Sequence, residues 1–262
     1  MKFSIITPNR NGERFIEEAI QSVLLQKTDG INIEYIIIDG SSTDSSMEII
    51  ERYRSDISIL ISEPDRGPVD AINKGLKLAT GDIVAWLNAD DRYHKGALKR
   101  VAEAFGGYPE KALCFGRCNI IDEAGNEIRR WITRFKEFFF TLSSQFTIQC
   151  LNYISQPTLF FKRSAQQAVG LLESDMVAAW DYDFILRLWK HGGAICLRES
   201  VPIADFRWHE NSISGSRFIT QFKEEADLAK KDAGLFAPQT VIHYMVRWGI
   251  VVIYSLMAAF RK

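Results

Sequence analysis

The stretch ISILISEPDRGPVDAINKGLKLATGDIVAWLNADD, residues 57–91, holds three elements in a row. ISILIS (57–62) is an apolar, β-branched run of strand length, and DIVAWL (82–87) is a second. Between them Val69, Ile72, Leu76 and Ala79 recur at three- and four-residue spacing, which predicts a helix over 68–79. Strand, helix, strand in this order makes a crossover unit whose two strands lie parallel in one sheet. Two adjacent carboxylates, Asp90 and Asp91, follow the second strand, and repulsion between like charges at that point needs a cause.

Outward from this unit the pattern repeats. FSIIT (3–7), EYIIID (34–39) and ALCFG (112–116) read as further buried strands. Phe15, Ile16, Ala19, Ile20, Val23 and Leu24 predict a helix within 13–26, and SSTDSSMEII supplies capping hydroxyls for a helix after the second strand. The expected fold class is α/β: an open, mostly parallel sheet flanked by helices. From about residue 117 the alternation stops. PTLFFKR (157–163) reads as a strand, DYDFILRLWKHGG (181–193) as a helix ending at glycine, and ADFRWHENSIS (204–214) as a polar loop.

Composition narrows the classes. A chain of 262 residues with 47% hydrophobic and 25% charged residues forms a sizeable core. Its net charge of −1 provides no basic field for nucleic acid, which is not an expected partner. Cys114, Cys118, Cys150 and Cys196 show no metal-finger spacing and read as free thiols in a reducing compartment. The first residues, MKFSIITPNRNGE, are too short an apolar run for a signal peptide, so the expected location is cytoplasmic. GIVVIYSLMAAF (249–260), followed by Arg261 and Lys262, is apolar throughout. Extended back to Val241 it approaches spanning length, but Arg247 inside it fits better a helix in the membrane interface, peripheral on the cytoplasmic face, or a buried terminal helix.

In open α/β sheets ligands bind beyond the carboxyl ends of the strands. Here those ends carry Thr7-Pro8-Asn9, Asp39-Gly40-Ser41-Ser42, Glu63-Pro64-Asp65-Arg66-Gly67, and Asn88 with Asp90 and Asp91. A divalent cation neutralises the Asp90–Asp91 repulsion, and hard oxygen ligands suit Mg²⁺ or Mn²⁺ held against substrate phosphates. No GxxxxGK[ST] or GxGxxG is present, so phosphate handling falls to the metal and basic side chains.

Taken together, SIITPNRN, IIIDGSSTDSS, SEPDRGPVDAINKGLKLATGDIVAWLNADD and WDYDFILRLWKHG resemble the family 2 glycosyltransferases, inverting nucleotide-sugar enzymes of the GT-A fold. The resemblance runs from about residue 3 to 215. It implies a domain over 1–215, with a nucleotide-binding half (1–116) and an acceptor half (117–215), and a C-terminal helical region over 216–262. It implies that Thr7 and Pro8 frame the nucleobase, that Asp39 accepts a hydrogen bond from a pyrimidine imide, and that Arg66 lies on base or phosphates. Asn11, Ser41, Gly67 and Asn88 join this nucleotide-sugar set. NADD stands at the family's acidic motif, with Asn88 at its first acidic position. Asp90 then contacts ribose or metal, Asp91 the metal on the pyrophosphate, and His209 completes the metal shell or touches a phosphate; the inner-sphere ligand among the two aspartates stays open. Asp181 matches the catalytic carboxylate, with Trp180 where an acidic residue often precedes it, and Asp183 reads as a helix-start carboxylate. The implied activity is metal-dependent transfer of a sugar from a nucleotide diphosphate, most often uridine, to a glycan or lipid-linked hydroxyl in polysaccharide assembly.

Other readings of the same residues stand beside these. Asp90 and Asp91 also fit a solvated turn, Asp39-Gly40 a strand-ending turn, Asp181 a helix N-cap, and Arg66 a surface pair with Glu63 or Asp65. His209 also fits a structural role, as His94, His191 and His243 do. The basic-aromatic stretch 129–146 reads as an acceptor loop, as a membrane-surface contact through Arg129, Arg130, Arg134 and Lys136, or as a helix packing Trp131, Phe135, Phe138 and Phe139 inward. A sugar-phosphate nucleotidyltransferase shares the sheet and acidic site but normally carries a Gly-rich basic loop after its first strand, where TPNRNGE has one glycine. A non-catalytic nucleotide-sugar-binding membrane subunit is the remaining alternative.

Overall fold

The computed structural model describes residues 1–210, 212 and 217–259, with side chains to residue 249. In chain order the first half runs β1 (Lys2–Asn9), α1 (Ile16–Leu24), β2 (Asn32–Asp39), α2 (Ser46–Arg52), β3 (Ile59–Ser62), α3 (Pro68–Leu78) and β4 (Ile83–Trp86). Then come β5 (Arg92–Tyr93), α4 (Ala97–Gly107), β6 (Leu113–Phe115), β7 (Cys118–Ile121), β8 (Glu127–Ile128), α5 (Arg130–Phe138) and α6 (Gln145–Cys150). The chain continues through β9 (Phe160–Lys162), α7 (Arg163–Val169), α8 (Trp180–Gly192), β10 (Ala194–Cys196), β11 (Ala204–Arg207), α9 (Phe218–Ala233) and α10 (Pro238–Ala259).

Seven strands form the main sheet in the order β10-β6-β9-β4-β1-β2-β3. All neighbours are parallel except β9, which runs antiparallel to both β4 and β6. Alternation along the strands sends successive side chains to opposite faces. Phe3 and Ile5 therefore join Ile16, Ile20 and Val23 of α1 in one buried cluster. Ile6 on β1 instead meets Val69, Ile72 and Leu76 of α3 in another. Helices on both faces explain why these strands are apolar throughout rather than alternating. At Gly75 a Cβ would lie 2.4 Å from Ile6 Cγ2, so α3 sits on the sheet at a distance only glycine permits.

A second, four-stranded sheet has the order β5-β11-β7-β8. It corrects the reading of 204–214 as a loop, because Ala204–Arg207 is a strand between β5 and β7. The polarity misleads because Asp205 and Arg207 are buried and their charges are met inside the protein. Asp205 accepts from Arg92 Nε at 2.7 Å and from Asn119 Nδ2 at 3.0 Å. Asn211 and residues 213–216 of that stretch, together with the 215/216 boundary and 260–262, lie outside the described residues.

The stretch 129–146 is helical, as α5, a short 3-10 turn over Phe139–Leu142 and the start of α6. The reading of an inward-packed aromatic face is corrected for three of its four residues: Trp131, Phe135 and Phe138 are exposed, Phe139 is partly buried against the core, and Ile132, Thr133 and Phe140 are buried. The two C-terminal helices pack on α6, with α9 also against α8. His243 of α10 is buried, its Nδ1 2.9 Å from the Gln149 carbonyl, while Met245 and Trp248 are exposed. Among the described residues no helix is long and apolar enough to cross a membrane.

Candidate active site

The carboxyl ends of β1 and β4 and the loop after β3 open into a cavity of about 730 Å³. The loops after β1 and β2 are latched together across its rim. Gly40 N donates to Asn9 O (2.8 Å), Asn11 N to Ser42 Oγ (2.8 Å), and Thr43 N to Asn11 Oδ1 (2.8 Å). Gly12 N adds a bond to Ser46 Oγ at 2.9 Å. Asn11 and Ser41 both adopt left-handed backbone, φ 54° and 57°, a conformation that costs energy outside glycine and gathers at functional sites.

Of the nucleotide-sugar set, Pro8, Asn11, Gly67, Asn88 and Asp90 line this cavity. Thr7 and Asp39 lie beneath it, fully buried. Thr7 Oγ1 is 3.1 Å from the Tyr35 hydroxyl. Asp39 accepts from Asn9 Nδ2 (2.8 Å), the Ser42 amide (3.0 Å) and the Ser62 hydroxyl (2.8 Å). Burial alone would push its carboxyl up, but the donors from Ser42, Asn9 and Ser62 outweigh burial and hold it below the usual range. Asn9, which the sequence places at the strand end without a role, lines the cavity and donates to Asp39. Ser41 and Arg66 are not among the lining residues. Arg66 projects into solvent and pairs with Asp70 at 3.5 Å, rather than with Glu63 or Asp65.

The three candidate metal ligands part company. Asp90 lines the cavity with its Oδ2 3.0 Å from His209 Nε2. Asp91 is buried beside it and turned inward, its Oδ1 accepting the Arg207 amide (2.9 Å) and its Oδ2 Asn88 Nδ2 (3.1 Å). Burial, then the neighbouring Asp90 charge, pushes the Asp91 carboxyl well above its ordinary value. Asn88 also donates to Gln156 Oε1 at 2.9 Å, which ties the acidic corner to the other side of the cavity.

Arg207, missed by sequence reasoning, holds this corner in place from below. It is buried, with Nε on the Asp90 carbonyl (2.9 Å), Nη1 on the carbonyls of Asp122 (3.0 Å) and Glu123 (3.1 Å), and Nη2 paired with Glu18. Its guanidinium carbon lies 4.6 Å from the centre of the Phe15 ring, which is itself 5.7 Å from the His209 ring. The sequence signal was present in ADFRWH, a strand-like alternation hidden by its charges.

The donor set fits a divalent ion in part. Ligands in cis positions about 2.1 Å from an octahedral ion stand roughly 3.0 Å apart, which is the Asp90–His209 spacing. Among the described residues no group of three His, Cys, Asp or Glu side chains is placed to hold a metal. One carboxylate and one imidazole therefore leave the remaining positions to phosphate oxygens and water, the usual arrangement for ions that bridge to a diphosphate.

Asp181 lines the same cavity. It sits in the first turn of α8, whose N-cap is Ala179, and its Oδ1 accepts the Tyr182 amide of that turn at 2.8 Å. Glu224 of α9 accepts the amides of Val177 (2.9 Å), Ala178 (2.9 Å) and Ala179 (3.0 Å), which lead into the helix. Burial pushes the Asp181 carboxyl up to about 6, against the opposing pull of the Tyr182 amide and the Lys136 ammonium. Asp183 stands in the same turn and is paired with Arg187 at 2.7 Å. Aromatic side chains Trp131, Phe135, Trp180, Phe218 and Phe222 complete this end of the cavity.

Comparison with known proteins supplies the family. The model described as "Glycosyl transferase family 2" matches residues 4–168, a span that ends before α8. Poly(ribitol-phosphate) beta-N-acetylglucosaminyltransferase TarS of Staphylococcus aureus is 34% identical over 105 residues, 39% of this chain and 18% of the relative. A PGL/p-HBAD biosynthesis glycosyltransferase of Mycobacterium bovis is 26% identical over 227 residues, 83% of this chain and 82% of the relative. The chain spans 18% to 37% of the length of the first curated relatives it matches. Among solved structures, S. aureus TarS 1-349 in complex with UDP-GlcNAc superposes with a TM-score of 0.67 at 19% identity, covering 93% of this chain and 70% of that one. The mannosyltransferase PcManGT of Pyrobaculum calidifontis, in complex with GDP-Man and Mn²⁺, does so with 0.68 at 19% identity, covering 94% and 69%. The architecture is that of the GT-A glycosyltransferases. With the family model matched across more than half of its length, the chain belongs to glycosyl transferase family 2.

Proposed function

We propose that the protein is an inverting, divalent-metal-assisted glycosyltransferase that moves a sugar from a nucleotide diphosphate, with uridine diphosphate the favoured donor, to a hydroxyl of a glycan or lipid-linked acceptor. One observation carries the reading: the Asp90–His209 pair and Asp181 line a single cavity. Pro8, Asn9 and Asn11 then bracket the base, with Asp39 and Thr7 fixing the loop beneath them. Asp90 and His209 are the residues that would hold the ion, Mn²⁺ or Mg²⁺, while Asp91 orders the corner through the Arg207 amide. When bound, that ion supplies charge stabilisation for the departing diphosphate.

Asp181 takes the acceptor hydroxyl proton as that oxygen bonds the anomeric carbon. The bond from this carbon to the diphosphate oxygen breaks, and its electron pair leaves with the diphosphate. Attack from the side opposite the leaving group inverts the anomeric centre. The aromatic wall around Asp181 gives ring faces on which an acceptor sugar stacks. The exposed Trp131, Phe135 and Phe138 of α5, beside Arg130 and Arg134, suit a peripheral contact with an anionic membrane where a lipid-linked acceptor resides. Absence of co-sedimentation with anionic vesicles would remove that contact. The GT-A domain of this reading spans 1–215, with 1–116 binding the nucleotide and 117–215 the acceptor, and 216–262 forms a C-terminal helical region.

The test is a panel of nucleotide-sugars scored for slow, Mn²⁺- or Mg²⁺-dependent hydrolysis without acceptor. Release of free sugar and nucleoside diphosphate supports the reading. Pyrophosphate release from a nucleoside triphosphate would instead mark a nucleotidyltransferase, and binding with no hydrolysis under any condition a non-catalytic subunit.

A further inference from the structure

The chain that enters α8 is held from outside the sheet. Glu224 of α9 turns both carboxylate oxygens to it: Oε1 accepts the Val177 amide (2.9 Å), and Oε2 accepts those of Ala178 (2.9 Å) and Ala179 (3.0 Å). Hydrogen bonds to an ionised acceptor are roughly twice as strong as neutral ones. Upstream, Asn73 of α3 grips Leu172 in both directions, its Nδ2 donating to the carbonyl (2.9 Å) and its Oδ1 accepting the amide (3.0 Å). Between these two anchors Glu173, Ser174 and Asp175 are exposed. The Glu224 clamp therefore decides where the chain meets the first turn of α8. Asp181 Oδ1 accepts the Tyr182 amide of that same turn at 2.8 Å, so the carboxylate goes where the turn goes.

The helix that carries the clamp also lines the site. Phe218, Gln221, Phe222 and Glu225 of α9, at the i, i+3, i+4 and i+7 positions of one face, border the cavity that Asp181 borders. Glu224 stands one residue before the last of them. The family model ends at residue 168, so the clamp and the carboxylate it places both lie beyond the matched span.

We propose that Glu224 is a positioning residue for the transfer step: by binding three amides ahead of α8 it sets the place of Asp181, and α9 thereby assembles cavity lining and base as one unit. This rests on Asp181 being the base that takes the acceptor proton. Removing the Glu224 carboxylate strips three amides of their partner and lets the turn shift. A displacement of about 1 Å in a reacting group costs up to roughly a hundredfold in rate, with the donor end of the cavity left intact.

The experiment is steady-state donor hydrolysis in Mn²⁺, with the nucleotide-sugar that wild type cleaves fastest. Water here takes the place of the acceptor: its oxygen bonds the anomeric carbon, its proton goes to Asp181, and the diphosphate leaves with the electron pair. Glu224→Ala lowers kcat roughly ten- to a hundredfold and leaves the donor KM near that of wild type. Glu224→Gln keeps a carbonyl oxygen for Ala178 and Ala179 but loses the acceptor at Val177, so its kcat falls between the two. Asp227→Asn removes an exposed charge from the same helix and keeps the wild-type kcat. Hydrogen exchange of the peptide spanning 177–183 speeds up in Glu224→Ala, a reading that needs no turnover. Where wild type cleaves no donor, the glycosyltransferase reading fails and exchange decides the clamp by itself. Equal protection of that peptide in wild type and Glu224→Ala overturns the inference. So does an unchanged kcat in Glu224→Ala, a loss confined to KM, or an equal loss in Asp227→Asn.

Discussion

Asp90 Oδ2 and His209 Nε2 stand 3.0 Å apart although they are 119 residues apart in the chain, one after β4 and one after β11. The main sheet supplies the carboxylate and the small sheet the imidazole, and Arg207 fixes the distance between them by binding the Asp90 backbone. His209→Gln is expected to weaken Mn²⁺-supported donor binding by about tenfold while leaving the melting temperature near that of wild type. Calorimetric titration with the donor at fixed Mn²⁺ checks this; unchanged affinity takes His209 out of the metal shell.

Asp181→Asn keeps the shape of the wall but removes the proton acceptor. Transfer is expected to fall about 10²- to 10⁴-fold, with donor affinity unchanged because the Asp181 carboxylate binds the Tyr182 amide rather than the Asp90–His209 corner. In wild type, activity falls as pH drops through about 6, where the raised Asp181 carboxyl takes up a proton. Measuring turnover and donor affinity in parallel separates the two effects, and retained turnover rules out Asp181 as the base.

Arg207 is a buried cation whose guanidinium meets Glu18 and three backbone carbonyls. Arg207→Met leaves Glu18 with Arg92 as its remaining cation, removes the side-chain donor from the carbonyls of Asp90 and Glu123, and leaves the Asp122 carbonyl with only the Gly125 amide. A buried polar group left without its partner costs about 1–3 kcal/mol, so urea unfolding should shift by at least that amount. A loss below about 1 kcal/mol contradicts the bracing role.

Legibility in the sequence followed burial. The runs at 3–7, 34–39 and 82–87 announce β1, β2 and β4 because both faces of these strands are covered, as Ile36, Ile37 and Ile38 on consecutive positions show. The small sheet was hidden because its strands are two to four residues long and carry Arg92, Asp205 and Arg207, whose charges are met only by distant partners. The acidic pair was legible as a site, but not that Asp91 turns inward while Asp90 faces the cavity, since that choice is made by the Arg207 amide from β11. Glu224 was invisible for the same reason: nothing local in FKEEADLAK reports the three amides before α8.

Glu34 gives the fold an acid-sensitive element. Burial works against its charge, but donors from Lys2, Ser4 and Thr80 win and lower its carboxyl to about 2. Its folded value lies below the unfolded one, so its contribution is present above about pH 4.5 and is lost as pH falls toward 2. Asp181 and Glu225 act with the opposite sign: raised to about 6 and about 7, they lower stability as pH rises through that range. Glu34→Gln is expected to flatten the loss of stability between pH 4.5 and 2, read by denaturant midpoints across pH. An unchanged slope assigns the acid transition to other groups.

The most direct measurement is uridine diphosphate affinity, by calorimetry, in Mn²⁺ and in chelator, for wild type and Asp90→Ala. Binding in wild type should weaken at least tenfold in chelator, and Asp90→Ala in Mn²⁺ should fall to the chelator value. Equal affinity in all conditions would contradict a diphosphate held through a metal at Asp90 and His209.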